Sequence, residues 1–304
     1  RKNIIDEIGG FRKGYEGAQD YDLVLRFTEK TNNIFHIQKI LYHWRMISNS
    51  TAVNPDSKGY AFEAGLKSLE DALERRGIKG TVSHGAFPGV YNIEYEIVNN
   101  GLVSVIIPTR DNAADLKACI DSIYEKTIYE NFEIIVADNG SEKEETFKLF
   151  EYYTKKYQDQ FKVVRIDIPF NFSKINNLAV QESKGEYLLF LNNDITVITK
   201  GWMKRMVSYA QQQHVGAVGA KLYYPDNTIQ HAGVLLGMGG VAGHGHVGYP
   251  RGDYGYFGKL VTTNNYSSVT AACMMVKRED FDRGNGFGEK LTVAFNDVDF
   301  CLKL

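Results

Sequence analysis

From residue 102 onward the chain alternates short apolar runs with amphipathic stretches, and three of the runs end in small polar clusters. Leu102 to Ile107 is closed by Pro108 and then Thr109-Arg110-Asp111. Glu133 to Ala137 runs into Asp138-Asn139-Gly140-Ser141, and Tyr187 to Leu191 into Asn192-Asn193-Asp194. Between the runs, Ala114 to Tyr124 carries Leu116, Ile120 and Ile123 on one helical face. Further helices are expected over about 142–157 and 171–182, and a third strand over 161–168. Continuous apolar strands that alternate with helices predict an α/β fold, a mostly parallel sheet flanked by helices on both faces. Ligands of such sheets bind beyond the carboxyl ends of the strands, which is where the polar clusters fall.

Upstream of Asn99-Asn100-Gly101, a turn and the expected domain boundary, the pattern differs. Ser57 to Arg76 reads as an amphipathic helix, with Phe62, Leu66, Leu69 and Leu73 on one face and Gly77 as its stop. Tyr91, Ile93, Tyr95 and Ile97 alternate with polar residues, as in a half-buried strand. Ala18 to Thr28 reads as a short helix, and Ile34 to Ile47 as strand-like from its β-branched and aromatic content. Residues 9–26 (GGFRKGYEGAQDYDLVLR) echo residues 286–303 (GFGEKLTVAFNDVDFCLK), aligning Asp20 with Asp297 and Asp22 with Asp299. A repeat at about a domain's spacing points to a tandem protein, with 1–47 the end of one unit, 48–100 a linker and 101–304 most of the next.

Composition narrows the classes of function. With 35 Lys and Arg against 37 Asp and Glu, the net charge is −2, and no global basic field favours nucleic acid. Apolar residues make up 43% of the 304, enough for a packed core. The three cysteines, Cys119, Cys273 and Cys301, form no CxxC pair and suit a reduced compartment. No apolar stretch is long enough to span a bilayer. No GxxxxGK[ST] phosphate loop occurs, so kinase or ATPase chemistry lacks its cradle.

Three carboxylates stand where chemistry could use them. Asp194 follows a buried strand directly, and a rigid oxygen ligand there suits Mg²⁺ or Mn²⁺ bridging a diphosphate. Asp138, at another strand end, could accept a hydrogen bond from a base or ribose. Asp297 opens a helix and could serve as general base on an incoming hydroxyl. Each also has a plainer role, since acids favour helix N-termini and turns for capping alone. Gly233 to Gly248 (GVLLGMGGVAGHGHVG) is a glycine-rich loop carrying His244 and His246, with His231 just before it. It reads either as a loop over an acceptor or as a flexible surface turn.

In combination these stretches resemble family 2 of the glycosyltransferases, inverting enzymes of GT-A fold. Val103 to Ile123 is similar to that family's opening strand and helix. VADNGSE (136–142) is similar to its second-strand motif, and NFSKINNLAVQESKGEYLLFLNND (171–194) to the segment that leads to its metal motif. FNDVDFCLKL (295–304) is similar to its ED-containing helix. The resemblance implies Asp297 as catalytic base and Asp194 as ligand of Mn²⁺ or Mg²⁺. It implies Pro108, Thr109, Asp138, Asn139, Asn177, Asn192 and Asn193 on the donor side, and His231, His244 or His246 towards the acceptor or diphosphate. Residues 101–194 would then be the nucleotide-binding half and 195–304 the acceptor half. In the first unit, Asp20 holds the base position, and Tyr42-His43-Trp44-Arg45 resembles the element that follows, where His43 and Arg45 would approach a diphosphate.

Two departures stand out. Asn192 replaces the usual first acid of the metal motif, and Asn296 replaces the acid before Asp297. The expected activity is inverting transfer of a sugar from a UDP- or dTDP-sugar to a hydroxyl of a glycan or lipid-linked glycan acceptor, in bacterial polysaccharide synthesis. The expected location is the cytoplasm or the inner membrane face. The alternatives are a non-catalytic glycosyltransferase-like module and a metal-dependent phosphoesterase.

Overall fold

The computed structural model describes residues 1–43 and 59–304. The chain divides into two compact units, residues 1–96 with 254–263, and residues 97–253 with 264–304.

In the first unit, α1 (Lys2–Ile8) ends on Gly9 in the left-handed conformation and is followed by α2 (Gln19–Thr28). Helix α3 (Gly59–Arg75) packs on α2 and buries Ala61, Ala64, Gly65, Ser68, Leu69, Ala72 and Leu73. Phe62 and Leu66, expected on the same face, are only partly buried. The hairpin β1 (Gly80–His84) and β2 (Tyr91–Tyr95) covers α3, and the Tyr91 hydroxyl donates to the Phe62 carbonyl at 2.9 Å. Gly65 admits that tyrosine, because a Cβ there would overlap its hydroxyl. Buried Asp22 pairs with Arg26 at 2.8 Å and with Arg12. Burial acts to raise the Asp22 carboxyl, but hydrogen bonds from Arg12 and Arg26 prevail and hold it below the usual carboxylate range.

One expectation fails here. Residues 34–43 join no strand ladder, and Ile34, Phe35, Ile37, Ile40, Leu41 and Tyr42 lie exposed. Strand propensity is realised only when a neighbour completes the hydrogen-bond ladder, and among the described residues none does. The rest of the expected strand, 44–47, lies outside the described residues, as do Trp44 and Arg45.

The second unit is built on a six-stranded sheet. Its strands in sequence are β3 (Val103–Thr109), β4 (Phe132–Asp138), β5 (Phe161–Arg165), β6 (Tyr187–Leu191), β7 (Ala217–Gly219) and, last in the chain, β12 (Cys273–Lys277). Their spatial order is β5-β4-β3-β6-β12-β7. The first four run parallel, while β12 is antiparallel to both β6 and β7. The order reverses between β3 and β6, the switch point at which open α/β sheets bind ligands. All five residues of β6 are buried, as a strand covered on both faces requires.

Alternate residues of β3 divide between the two faces. Val103, Val105 and Ile107 join one core with helices α4 (Ala113–Lys126), α5 (Glu144–Tyr157) and α7 (Trp202–Ala210). Ile106 joins the other with α6 (Phe172–Gln181), α8 (Arg278–Arg283) and α9 (Asn296–Lys303), around Phe190, Phe281, Phe287 and Phe300. After β7 the chain forms a separate short strand, β8 (Leu222–Tyr223), the two divided where the Ala220 amide turns to the Cys273 carbonyl. Beyond β9 (Ile229–His231), the glycine-rich stretch is a hairpin of β10 (Val234–Leu236) and β11 (Ala242–His244).

The two echoing segments adopt matching local structure. Helices α2 and α9 begin at aligned positions, Gln19 and Asn296. Asp299 pairs with Lys303 at 2.6 Å, four residues on, as Asp22 does with Arg26.

Candidate functional site

The three polar clusters sit at the carboxyl ends of β3, β4 and β6. Asn193 Nδ2 donates to Thr109 Oγ1 at 2.9 Å, joining the ends of β3 and β6 across the switch point. Asp111 Oδ1 accepts from the amides of Glu142 and Lys143 at 3.0 and 2.9 Å, which ties the loop after β3 to the start of α5. Those amides, with Lys143 foremost, hold the Asp111 carboxyl below its usual range.

Asp138 is 2% exposed and already engaged. Its Oδ1 accepts from the Ser141 amide at 2.9 Å and its Oδ2 from Arg165 at 2.7 Å. Arg165, in register with Asp138 at the end of β5, was not among the residues singled out from sequence. The signal lies in its place: it closes a strand one position across from Asp138, but a strand read as far as Ile168 hides that ending. Asn139 spends its amide nitrogen on the carbonyls of Ile166 and Ile168, at 2.9 and 2.8 Å. Pro108 is partly exposed within β3.

Asn177 lies elsewhere. Its Nδ2 donates to the Phe287 carbonyl and its Oδ1 accepts from the Phe287 amide, both at 3.0 Å, so it clasps the 286–289 turn.

Asn192 and Asp194 follow β6, with Asp194 exposed. The Cys119 thiol donates to the Asn192 carbonyl at 3.7 Å. Burial, reinforced by the Asp194 charge, pushes that thiol up to about 12, so it stays protonated. Among the described residues, no set of three His, Cys, Asp or Glu side chains could hold a metal ion by itself. A single exposed carboxylate beside amide oxygens fits a hard cation that takes its other ligands from phosphates and water.

Asp297 stands on the first turn of α9. Its Oδ2 accepts from the Ala271 amide at 3.2 Å and its Oδ1 from the Val298 amide at 2.8 Å. The next residue, Ala272, accepts from the Asn192 amide at 3.0 Å. The entry to β12 thus holds Asp297 beside the turn that carries Asp194. Phe295, which caps α9, takes φ of 60°, an uncommon conformation for an aromatic residue and one found at functional turns.

Asp297, Asn296 and His244 line one cavity of about 240 Å³, walled otherwise by Val234, Ala242 and residues 293–295 and 298. His244 Nδ1 lies 3.1 Å from the Gln230 carbonyl. A carbonyl only accepts, so Nδ1 is the donor of that bond. His231 packs edge-on against His244, with ring centres 4.7 Å apart. It is 1% exposed, and its Nε2 accepts from the amides of Gly233 and Thr270 at 3.3 and 3.4 Å. Burial, aided by repulsion from His244, lowers its pKa to about 3, so the ring is neutral. Asn296 is 4% exposed; its Oδ1 accepts from the Asp297 amide at 2.8 Å, while its Nδ2 has no partner. An unmet buried donor costs about 1–3 kcal/mol.

Other singled-out residues do not join this cavity. His246 stacks edge-on with Tyr249 at 5.2 Å. In the first unit, Asp20 is exposed and accepts from the Tyr21 amide at 2.9 Å, and His43 is exposed at the end of the 34–43 stretch.

Comparison with known proteins places this architecture. The family model for glycosyl transferase family 2 matches residues 104–284. The chain is 48% identical over 305 residues to the uncharacterized protein y4gI of Sinorhizobium fredii, covering 99% of this chain and 33% of that one. It is 39% identical over 307 residues to the O-antigen biosynthesis protein RfbC of Myxococcus xanthus, covering 100% and 24%. The chain therefore spans a third or less of the length of these relatives. Among solved structures, GalNAc-T7 with UDP, GalNAc and Mn²⁺ aligns with a TM-score of 0.53 at 16% identity, over 67% of this chain and 40% of that one, a likeness of fold. On the family match, the chain belongs to family 2 of the glycosyltransferases, on a GT-A-type sheet.

Proposed function

We propose that the chain transfers a sugar, with inversion, from a UDP- or dTDP-sugar to a hydroxyl of a glycan or lipid-linked glycan acceptor during polysaccharide assembly. The observation that carries this reading is Asp297. It lines a small cavity with His244, and one strand entry ties it to the Asn192–Asp194 turn. In the reaction, the acceptor hydroxyl loses its proton to Asp297 as its oxygen attacks the anomeric carbon. The bond from that carbon to the diphosphate breaks in the same step. Thr109 and Asn193, with the Asp138–Arg165 pair, form the nucleoside side at the switch point. Asp194 would hold Mn²⁺ or Mg²⁺ brought with the nucleotide, which supplies neutralisation of the leaving diphosphate's charge.

Residues 1–47 then form the end of a first domain of the same kind, with Asp20 at its base position and His43 and Arg45 serving that domain's site. The matching starts of α2 and α9 support this. Residues 48–100 are the linker and 101–304 the second domain. Nucleotide-sugar supply favours a cytoplasmic location, at the inner membrane face for a lipid-linked acceptor; among the described residues no helix is long and apolar enough to cross a membrane.

The test uses the full-length protein and a panel of UDP- and dTDP-sugars, with nucleotide release and sugar transfer as readouts. Asp297→Asn should abolish transfer yet retain donor binding; full activity in that variant would overturn the base assignment. The amides at Asn192 and Asn296 favour a second reading, a non-catalytic module. Nucleotide binding with no transfer across the panel would support it, and metal-dependent phosphate release without transfer would point to a phosphoesterase.

A further inference from the structure

We infer that the β10–β11 hairpin is a membrane-docking surface, whose aliphatic tip enters the headgroup region of a lipid bilayer. The inference rests on the glycosyl-transfer reading for its purpose, and it names the surface that meets the lipid end of a lipid-linked acceptor. Leu235, Leu236, Met238, Val241 and Val247 lie exposed along the hairpin and just after it, from 42% for Leu235 to 58% for Val241. Their exposure follows from the register. Leu235 stands opposite Gly243 and Leu236 opposite Ala242, so the cross-strand partners are too small to cover them. A Cβ added at Gly237, Gly239 or Gly240 would meet nothing within 4 Å among the described residues, so the turn stands in open space.

The chemistry of the stretch points to lipid. From Thr228 to Pro250 the chain carries no Asp, Glu, Lys or Arg, although these residues make up 24% of the sequence. Seating the hairpin against a bilayer therefore strips no carboxylate, ammonium or guanidinium of its water. Within the turn, the Gly237 amide donates to the Val241 carbonyl at 2.8 Å and the Gly240 amide to the Gly237 carbonyl at 3.2 Å, which lowers the cost of taking that backbone out of water. At the base of the stretch, Tyr223 pairs with Ile229, whose amide donates to the Tyr249 carbonyl at 2.8 Å. Lys221 Nζ lies 5.3 Å and the Arg251 guanidinium 4.8 Å from the centre of the Tyr223 ring, and Tyr224 and Tyr249 are exposed nearby in the chain. Aliphatic side chains ahead of tyrosines and cations match the layers of a membrane surface, acyl chains first and then the polar interface where tyrosines settle. Asp226 and Asp253 offset the two cations in formal charge, so aliphatic burial carries the binding. Val234, Ala242 and His244 of the same hairpin line the cavity that holds Asp297, so a docked hairpin brings that cavity to the membrane surface.

The test is flotation of the chain with vesicles of phosphatidylcholine and phosphatidylglycerol in equal parts, at low and at high salt. The wild type should float at both, since burial of aliphatic groups is not screened. Leu235→Asn combined with Leu236→Asn should lower vesicle partitioning roughly tenfold or more, because two aliphatic side chains no longer leave water. Met238→Ser combined with Val241→Ser should act likewise, which keeps the test decisive if the first pair impairs folding. In Val241→Trp, brominated phosphatidylcholine should quench the added emission. No flotation of the wild type, flotation lost at high salt, flotation unchanged in the folded double variants, or no quenching would overturn the docking surface. So would a dimer in light scattering that dissociates in the same variants, since a second copy would then cover the hairpin. Titration of UDP and dTDP without vesicles separates the two claims. Nucleotide binding without flotation removes the docking surface and leaves the transfer reading, whereas flotation without nucleotide binding does the reverse.

Discussion

Asp297 and Asn192 are held by adjacent residues of one strand entry: the Ala271 amide donates to the Asp297 carboxylate at 3.2 Å, and the Ala272 carbonyl accepts from the Asn192 amide at 3.0 Å. One residue earlier, the Thr270 amide donates to His231. Three successive peptides thus set the candidate base, the turn after β6 and the histidine behind the cavity.

His231 makes stability depend on pH. Its native pKa of about 3 lies below the ordinary 6.5, so between these values the unfolded chain binds a proton that the native state refuses. Its contribution is complete above pH 6.5 and falls as pH drops towards 3, by up to about 1.4 kcal/mol per pH unit. Urea unfolding of wild type and His231→Gln at pH 7 and pH 5 checks this. The wild type should lose more stability between the two, and parallel losses would contradict it.

Arg165 neutralises a carboxylate that is 2% exposed. Replacing it with Met leaves Asp138 with the Ser141 amide as its remaining side-chain bond among those described. Because the arginine itself is 44% exposed, the loss should be smaller than for a fully buried pair. The urea midpoint at pH 7 reads it, and Asp138→Asn in the Met background should recover part of the loss.

Phe287 is 1% exposed and packs against Phe190, Phe281 and Phe300. Phe287→Ala should cost about 3–5 kcal/mol, the range for emptying an aromatic site in a core. The same residue anchors Asn177, so the 286–289 turn should loosen with it. Faster amide exchange across 286–291 would register this, and unchanged protection would contradict it.

Gly185 lies where the chain enters β6, and a Cβ there would stand 2.5 Å from the Ser104 amide nitrogen. Gly185→Ala must push β3 and β6 apart or break the 2.7 Å bond from the Gly185 amide to Ser104. A lowered melting temperature is expected, while Gly252→Ala, with open space around it, should be close to neutral.

The parallel sheet was legible because its strands are covered on both faces, so Tyr187–Leu191 reads as one unbroken apolar run that stops where its polar turn begins. The repeat was legible for a similar reason: α2 and α9 begin at aligned residues and carry the same acid–base pair one turn apart. Residues 34–43 misled because β-branched and aromatic content reports suitability for a sheet, not the presence of a neighbouring strand. Asn177 was visible as a polar residue in a familiar stretch, but its partners lie 110 residues away, in a turn that local pattern cannot link to it. The free donor of Asn296 was hidden because it depends on which way one carboxamide turns, and that is decided by the Asp297 amide.

A nucleotide-diphosphate site at the ends of β3, β4 and β6 underlies the transfer reaction. The most direct test is calorimetric titration of the chain with UDP and dTDP, each with and without Mn²⁺, on wild type and Asp194→Ala. One nucleotide should bind, only with the metal, and its binding should be lost in the variant. Binding of neither nucleotide, or metal-independent binding unchanged by Asp194→Ala, would contradict it.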